Sequence, residues 1–372
     1  MLNKQTSKLT ALAFAASLVL TACGGGGGGS SNATPPASGA STPAAPASGA
    51  SSTPASSGVA PQTSVAAPTY AAGTFQAAAF QVVNNYRLAM GVGEVAQDPV
   101  LDMSAQHHSD YTFTNLASNT ITTLDHDEVQ GNADFYATTP LLRAQLAGAP
   151  TTEWIGENMA AGTMQSATTA AANCIGQALA SVYHLEGLTA TQQTIGIGYT
   201  AGTAAYPLYT CVTDFGTSTG VVGAPGANEN SYAGGQQLPV GTVLSSPFSN
   251  ETGVALAMAA ESPNPAPDVA APGRPILVRV NAEDADLLTV TQFTLTNASG
   301  TAVAARILVP AAEQAGSTAT TVADPNAILA NGTAVLLPLA PLTANTTYTV
   351  TFSGARDGSP LSKTWTFTTA AS

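Results

Sequence analysis

The sequence predicts an α+β protein in two folded parts behind an unfolded tether. The first part is a helix-rich domain closed by a β-hairpin, and the second is a β-sandwich. Three observations carry this prediction. Apolar residues recur at three- and four-residue steps from residue 73 onward. Two strand-like runs, QTIGIGYTA and YPLYTCVTDFG, follow the helices and are joined by a turn over GTAA. Beyond residue 235 the pattern changes to short β runs with turn punctuation, spaced about ten residues apart.

The chain opens with Lys4 and Lys8, followed by an apolar run from Leu9 to Leu20. A helix of that length rises only about 18 Å, short of the ~30 Å bilayer core, so residues 1–22 read as a secretory signal. The stretch Leu20-Thr21-Ala22-Cys23 resembles a bacterial lipobox. That resemblance implies diacylglycerol on Cys23 and anchorage in the cell envelope, each buried methylene contributing about 0.8 kcal/mol. It also implies the outer membrane of a Gram-negative cell, because Gly24 rather than Asp follows the cysteine, with the folded parts periplasmic or surface-exposed. An ordinary cleaved signal would leave Cys23 incidental.

Residues 23–72 form the lipidated cysteine and its tether. Six glycines are followed by Ala, Ser, Thr, Pro and Gly without a charge, too little apolar surface to offset chain entropy. As a flexible coil such a segment spans roughly 40 Å. The whole chain has 9 basic and 22 acidic residues, a net charge of −13. Losing Lys4 and Lys8 with the signal takes it to about −15, which excludes nucleic acid as a partner.

The first folded domain spans 73–217. Phe75, Ala79, Val82, Val83 and Tyr86 mark helix one, which ends near Gly91 and Gly93. Asp98-Pro99 reads as an N-cap and N1 proline for helix two, with Leu101, Ala105 and His108 on one face. PLLRAQLAGA, residues 140–149, suits helix three, and the Ala-rich stretch 165–186 suits helix four. A linker at 218–235 precedes the second domain, 236–372. There RPILVRVN, TVTQFTLTNASG, TAVAARILVP, AVLLPLAPL, TTYTVTFSG and KTWTFTT supply the strands. LTANTTYTVTFSG and the strand after it resemble the last strands of bacterial Ig-like domains, which implies a spacer or adhesive scaffold.

The order of motifs in the first domain resembles bacterial CAP domains, the superfamily of cysteine-rich secretory proteins, antigen 5 and pathogenesis-related 1 proteins. Asn85, Arg87, Gly91, Asp98-Pro99, Leu101, Ala105 and His108 fall at the steps of that family's opening motif. LDHDEVQG, LLRAQLAGAPTTEWIGENMAAG, ASVYHLEGL and the two hairpin strands follow in family order, over roughly residues 75–216. The resemblance implies an α/β/α sandwich with a cleft where His126, Glu157 and His184 meet. His108 is a further candidate for the cleft wall. The Trp, Arg and Asn of the family's last His motif are absent, with Ala178 and Leu185 standing at the first two of those positions.

A carboxylate between two imidazoles favours protonated rings, or holds a divalent cation such as zinc between neutral ones. The same three groups could instead form a hydrogen-bonded network that only fixes packing. Three functions therefore stand: binding of a small ligand, lipid or cation; a metal-assisted hydrolase with Glu157 as general base; and an adhesin with a structural cleft and an extracellular protein partner. No nucleophile motif or phosphate loop appears, which weighs toward a non-enzyme. Cys174 and Cys211 form an even pair once Cys23 is lipidated, and in an oxidising envelope they read as a disulfide; two buried thiols are the alternative.

Overall fold

The computed structural model describes residues 58–228, 233–283 and 285–372. Cys23, the signal and tether residues 24–57 lie outside the described residues. Residues 58–72 do not continue the tether. They run extended against the first domain, where Val65 and Tyr70 pack on its core and Gln62 and Thr69 bond to Gln236 and Gln97. Composition alone misses this because a docked strand-like segment needs only a few apolar contacts.

The first domain contains α1 (Phe75–Met90), β1 (Ala96–Gln97), α2 (Pro99–Ala117), α3 (Pro140–Ala147), β2 (Trp154–Thr163), α4 (Ala167–Leu179), α5 (Tyr183–Leu188), β3 (Thr194–Thr200) and β4 (Leu208–Thr217). The expected helix ends at Asp98 and Gly91 are in place, and Thr74 adds a cap that the sequence reading does not name. Thr74 Oγ1 and Asp98 Oδ1 accept from the first turns of α1 and α2, and Gly91 ends α1 in the left-handed region at φ 98°. Asn84 rather than Asn85 is the buried residue of its pair, and it brackets Val95 by donating to its carbonyl and accepting from its N–H. Arg87 is fully buried and donates to the carbonyls of Gly93 and Leu188 and to Gln192 Oε1, tying the end of α1 to the loop before β3.

The predicted fourth helix is two helices. Ser181 Oγ bonds back to the Ala178 carbonyl at 2.9 Å, and the next two N–H groups leave the helical ladder for a carboxylate, so the chain turns between α4 and α5. The strands form one sheet in the order β1-β3-β4-β2, which leaves β2 at an edge. Successive strand side chains point to opposite faces. Ile155, Met159 and Ala161 of β2 therefore join Leu101 and Ala105 of α2 and Ala144 of α3 on one face. Ala160 of β2, with Ile195, Ile197, Cys211 and Phe215, meets α1 and α4 on the other. The result is three layers, helices on both faces of a mixed sheet. Gly196 and Gly198 permit the closest approach, since a Cβ at either would overlap the backbone of Leu101 or Ala105.

The second part pairs β5 (Val243–Ser246), β7 (Ile276–Val280), β9 (Ala305–Val309), β10 (Thr321–Ala323) and β11 (Thr333–Pro338) in the order β10-β9-β11-β7-β5. A second sheet runs β6 (Glu251–Val254), β13 (Ser359–Thr369), β12 (Thr347–Arg356), β8 (Leu288–Asn297). Val278, Leu336, Phe293, Val350, Phe352 and Trp365 fill the space between the sheets, which is the predicted sandwich.

The two parts are not beads on a string. Leu277, Leu308, Val335 and Leu337, on the outer face of the five-stranded sheet, share one core with Tyr86 and Met90 of α1 and with Val182 and Leu185 around α5. β7 and β11 are buried on both faces. The start of the second part is pinned as well, with Gln236 donating to the carbonyls of Glu94 and Gln192.

Candidate functional site

Glu157 sits at the centre of a buried ionic cluster under α2 and α3. His126 Nδ1 donates to its Oε1 and Arg143 donates to its Oε2, each at 2.7 Å. His108 Nε2 lies 3.8 Å from the same Oε1. Burial alone would raise the Glu157 pKa, but Arg143, His108 and His126 together hold it below the usual carboxylate range. Glu157 is therefore an ion-pair partner and a poor general base.

The loop that carries His126 is fixed from below. Tyr111 Oη accepts from Val129 N–H and Asn132 Nδ2, and Arg143 donates to the His126 carbonyl. His108 Nε2 faces the Asp125 carbonyl and Nδ1 faces Glu128 Oε1, both at 3.0 Å. A carbonyl only accepts, so Nε2 carries a proton.

Asp214 on β4 stands directly opposite Glu157 in the strand ladder. Burial pushes its pKa well above the usual Asp value, and the Glu157 charge pushes it further. Neither Asp214 oxygen has a hydrogen bond of good geometry, although Ser104 and Glu157 lie close enough to influence its proton. Asp214 thus keeps its proton where an ordinary Asp has lost it.

The expected convergence of His126, Glu157 and His184 is met only in part. Glu157 faces α2 and α3, whereas the next side chain, Asn158, points to the opposite face and donates to the His184 carbonyl at 2.9 Å. The His184 ring is bonded at 3.1 Å to Glu261, which comes from the loop between β6 and β7, and lies 3.3 Å from Ser181 Oγ. His108, the further candidate, does join Glu157. Glu153 lies beside Gly216 and Thr194, and Glu186 accepts from Ala330 N–H in the second part.

This donor set does not fit a zinc ion. Both Glu157 oxygens are taken, a guanidinium would repel a dication, and His184 is engaged elsewhere. Among the described residues no three His, Cys, Asp or Glu side chains are grouped to hold a metal.

Around the edge of β2 from this cluster lies a small recess. Leu124, Met159 and Ala178 line it, with Ala259 and Ala260 of the second part and the polar groups of Gln177, Ser181 and His184. Its free volume is about 20 Å³, room for roughly one water molecule, and it is partly open to solvent.

Sequence reasoning misses Glu128, Arg143, Asp214 and Glu261. Arg143 carried a signal, being one of only 9 basic residues and placed in the otherwise uncharged helix PLLRAQLA. Glu261 carried none, since a partner from another part of the chain leaves no local pattern. The disulfide reading holds, with Cys174 on α4 bonded to Cys211 on β4. No protein-family model and no curated protein matches the chain. No helix among the described residues is long and apolar enough to cross a membrane.

Proposed function

We propose that the chain is an envelope lipoprotein anchored through Cys23, with a CAP-type first domain and an Ig-like second domain. It binds a small ligand without chemical change. The recess beside His184 is the binding site, and the Glu157 cluster is the rigid floor that supports it. The ligand has an apolar body and one hydrogen-bonding end. The observation that carries this reading is the recess itself, where six apolar side chains, Ala160 among them, surround the polar groups of Gln177, Ser181 and His184. The ordered CAP-like motifs support the domain assignment, and Glu157, with both oxygens engaged and a depressed pKa, favours binding over hydrolysis.

Calorimetry with decanoate as the probe tests the reading, using the full chain with Cys23→Ser to keep it soluble. Saturable binding is expected, weakened at least tenfold by Ala178→Trp, which fills the recess, and weakened also by His184→Ala. Absence of binding, or equal binding in all three proteins, contradicts it.

A further inference from the structure

The recess has one wall made by another domain. Ala259 and Ala260 contribute only methyl groups, and Ala260 is exposed, so packing holds this wall weakly. Its attachment is polar and local. Ala259 N–H donates to the Ala180 carbonyl at 2.9 Å. The buried carboxylate of Glu261 accepts from Val182 N–H at 2.6 Å, from Tyr183 N–H at 3.0 Å and from His184 Nδ1 at 3.1 Å. One residue thus receives the N–H groups freed where α4 and α5 part, orients the His184 ring and fastens the wall. The base of the loop is held separately. Met258 N–H donates to the Pro272 carbonyl, and the Leu256 carbonyl accepts from Leu342 N–H.

We infer that residues 259–261 form a strap, latched by Glu261 and closed in this structure, whose release opens the recess while the rest of the interface stays packed. The inference rests on the recess being the binding site proposed above and adds how access to it is controlled. His184 has two alternative uses, as the latch partner of Glu261 and as a polar contact for a ligand. A ligand that engages its ring competes with the latch. The second domain then acts as the gate of the first and not as a spacer.

The strap is tested by thiol accessibility in the full chain. With Cys23→Ser and the Cys174–Cys211 disulfide intact, Met159→Cys supplies the single free thiol in the recess. Its rate of modification by a small maleimide is compared with and without Glu261→Ala, and with Glu261→Gln, which keeps the shape and one accepting oxygen. At least a tenfold acceleration is expected for Glu261→Ala and a smaller one for Glu261→Gln. A parallel Val350→Cys protein, its thiol in the sandwich core, reports global opening. No acceleration at position 159, or equal acceleration at 159 and 350, overturns the strap. Should Glu261→Ala fail to fold, Glu261→Gln carries the same comparison. Faster labelling without decanoate binding sinks the ligand reading and keeps the strap, whereas decanoate binding with unchanged labelling in the Glu261 variants sinks the strap alone.

Discussion

Glu157 and Asp214 face each other across β2 and β4, both buried, one held ionised and the other held protonated. Their environments differ in their partners: His126 and Arg143 bond to Glu157, and neither Asp214 oxygen has a hydrogen bond of good geometry. Arg143 reaches Glu157 Oε2 and forms no such pair with Asp214. The two acids therefore act on stability with opposite signs. Glu157, with its lowered pKa, contributes stability above the usual carboxylate value that is lost as pH falls below it. Asp214, with its raised pKa, contributes most at low pH, and that contribution is lost as pH rises toward its folded-state value.

Asp214→Asn replaces the protonated acid with a neutral isostere. The variant is expected to match wild type near pH 4 and to gain on it steadily as pH rises. Urea unfolding at pH 4, 6 and 8 checks this. Parallel profiles for the two proteins would mean that Asp214 is not the protonated partner.

A second titration lies at the interface between the two parts. Burial raises Glu186 to about 7, from an ordinary 4.5, against the opposing pull of Arg279. The folded chain then holds a proton that the unfolded chain has released between those values. Stability falls as pH rises through that window, by about 3 kcal/mol in all, and is flat above it. Glu186→Gln is expected to remove that fall and to be the more stable protein at pH 8. Glu313, also raised to about 7 by burial, leaves a residual slope of the same sign. A Glu186→Gln protein less stable than wild type at pH 8 contradicts this account.

The Cys174–Cys211 bond closes a loop of sequence separation 37. In the chain-entropy account its removal costs about 3–4 kcal/mol. Cys174→Ala with Cys211→Ala is expected to lower the denaturation midpoint accordingly. Alkylation of folded protein without reductant is expected to label neither cysteine, and labelling of both would disprove the bond.

Gly198→Ala tests the sheet–helix contact. The added methyl group would overlap the Ala105 carbonyl of α2, so either β3 or α2 must shift. A loss of more than about 2 kcal/mol is expected in thermal unfolding, typical of overpacking at a site that cannot relax. A neutral result would show that α2 has room to move.

Much of the fold was legible because it follows local rules. Asp98 and Gly91 mark helix ends by chemistry that depends on near neighbours, and the hairpin of β3 and β4 lies within one stretch of sequence. The fusion of the two parts was less legible, though AVLLP held a clue. A continuous apolar run, in place of alternation, means a strand covered on both faces, and here one cover is α1 and α5. The site was half legible. His126 and Glu157 were found by motif order, but strand alternation sends Glu157 and Asn158 to opposite faces, and the chain from Asn158 leads to His184. Glu261 lies 77 residues beyond its partner and could not be paired from sequence.

The central claim is a division of labour: the Glu157 cluster holds the domain together and the recess beside His184 takes the ligand. Comparing Glu157→Gln with Ala178→Trp for both decanoate affinity and urea stability tests it directly. Glu157→Gln leaves the buried Arg143 charge short of its partner and is expected to cost about 3–5 kcal/mol while keeping affinity in the protein that remains folded. Ala178→Trp overfills the recess and is expected to cost about 1–3 kcal/mol and to lose affinity at least tenfold. The reverse pattern, with binding lost in Glu157→Gln and retained in Ala178→Trp, would contradict the account and return the binding site to Glu157.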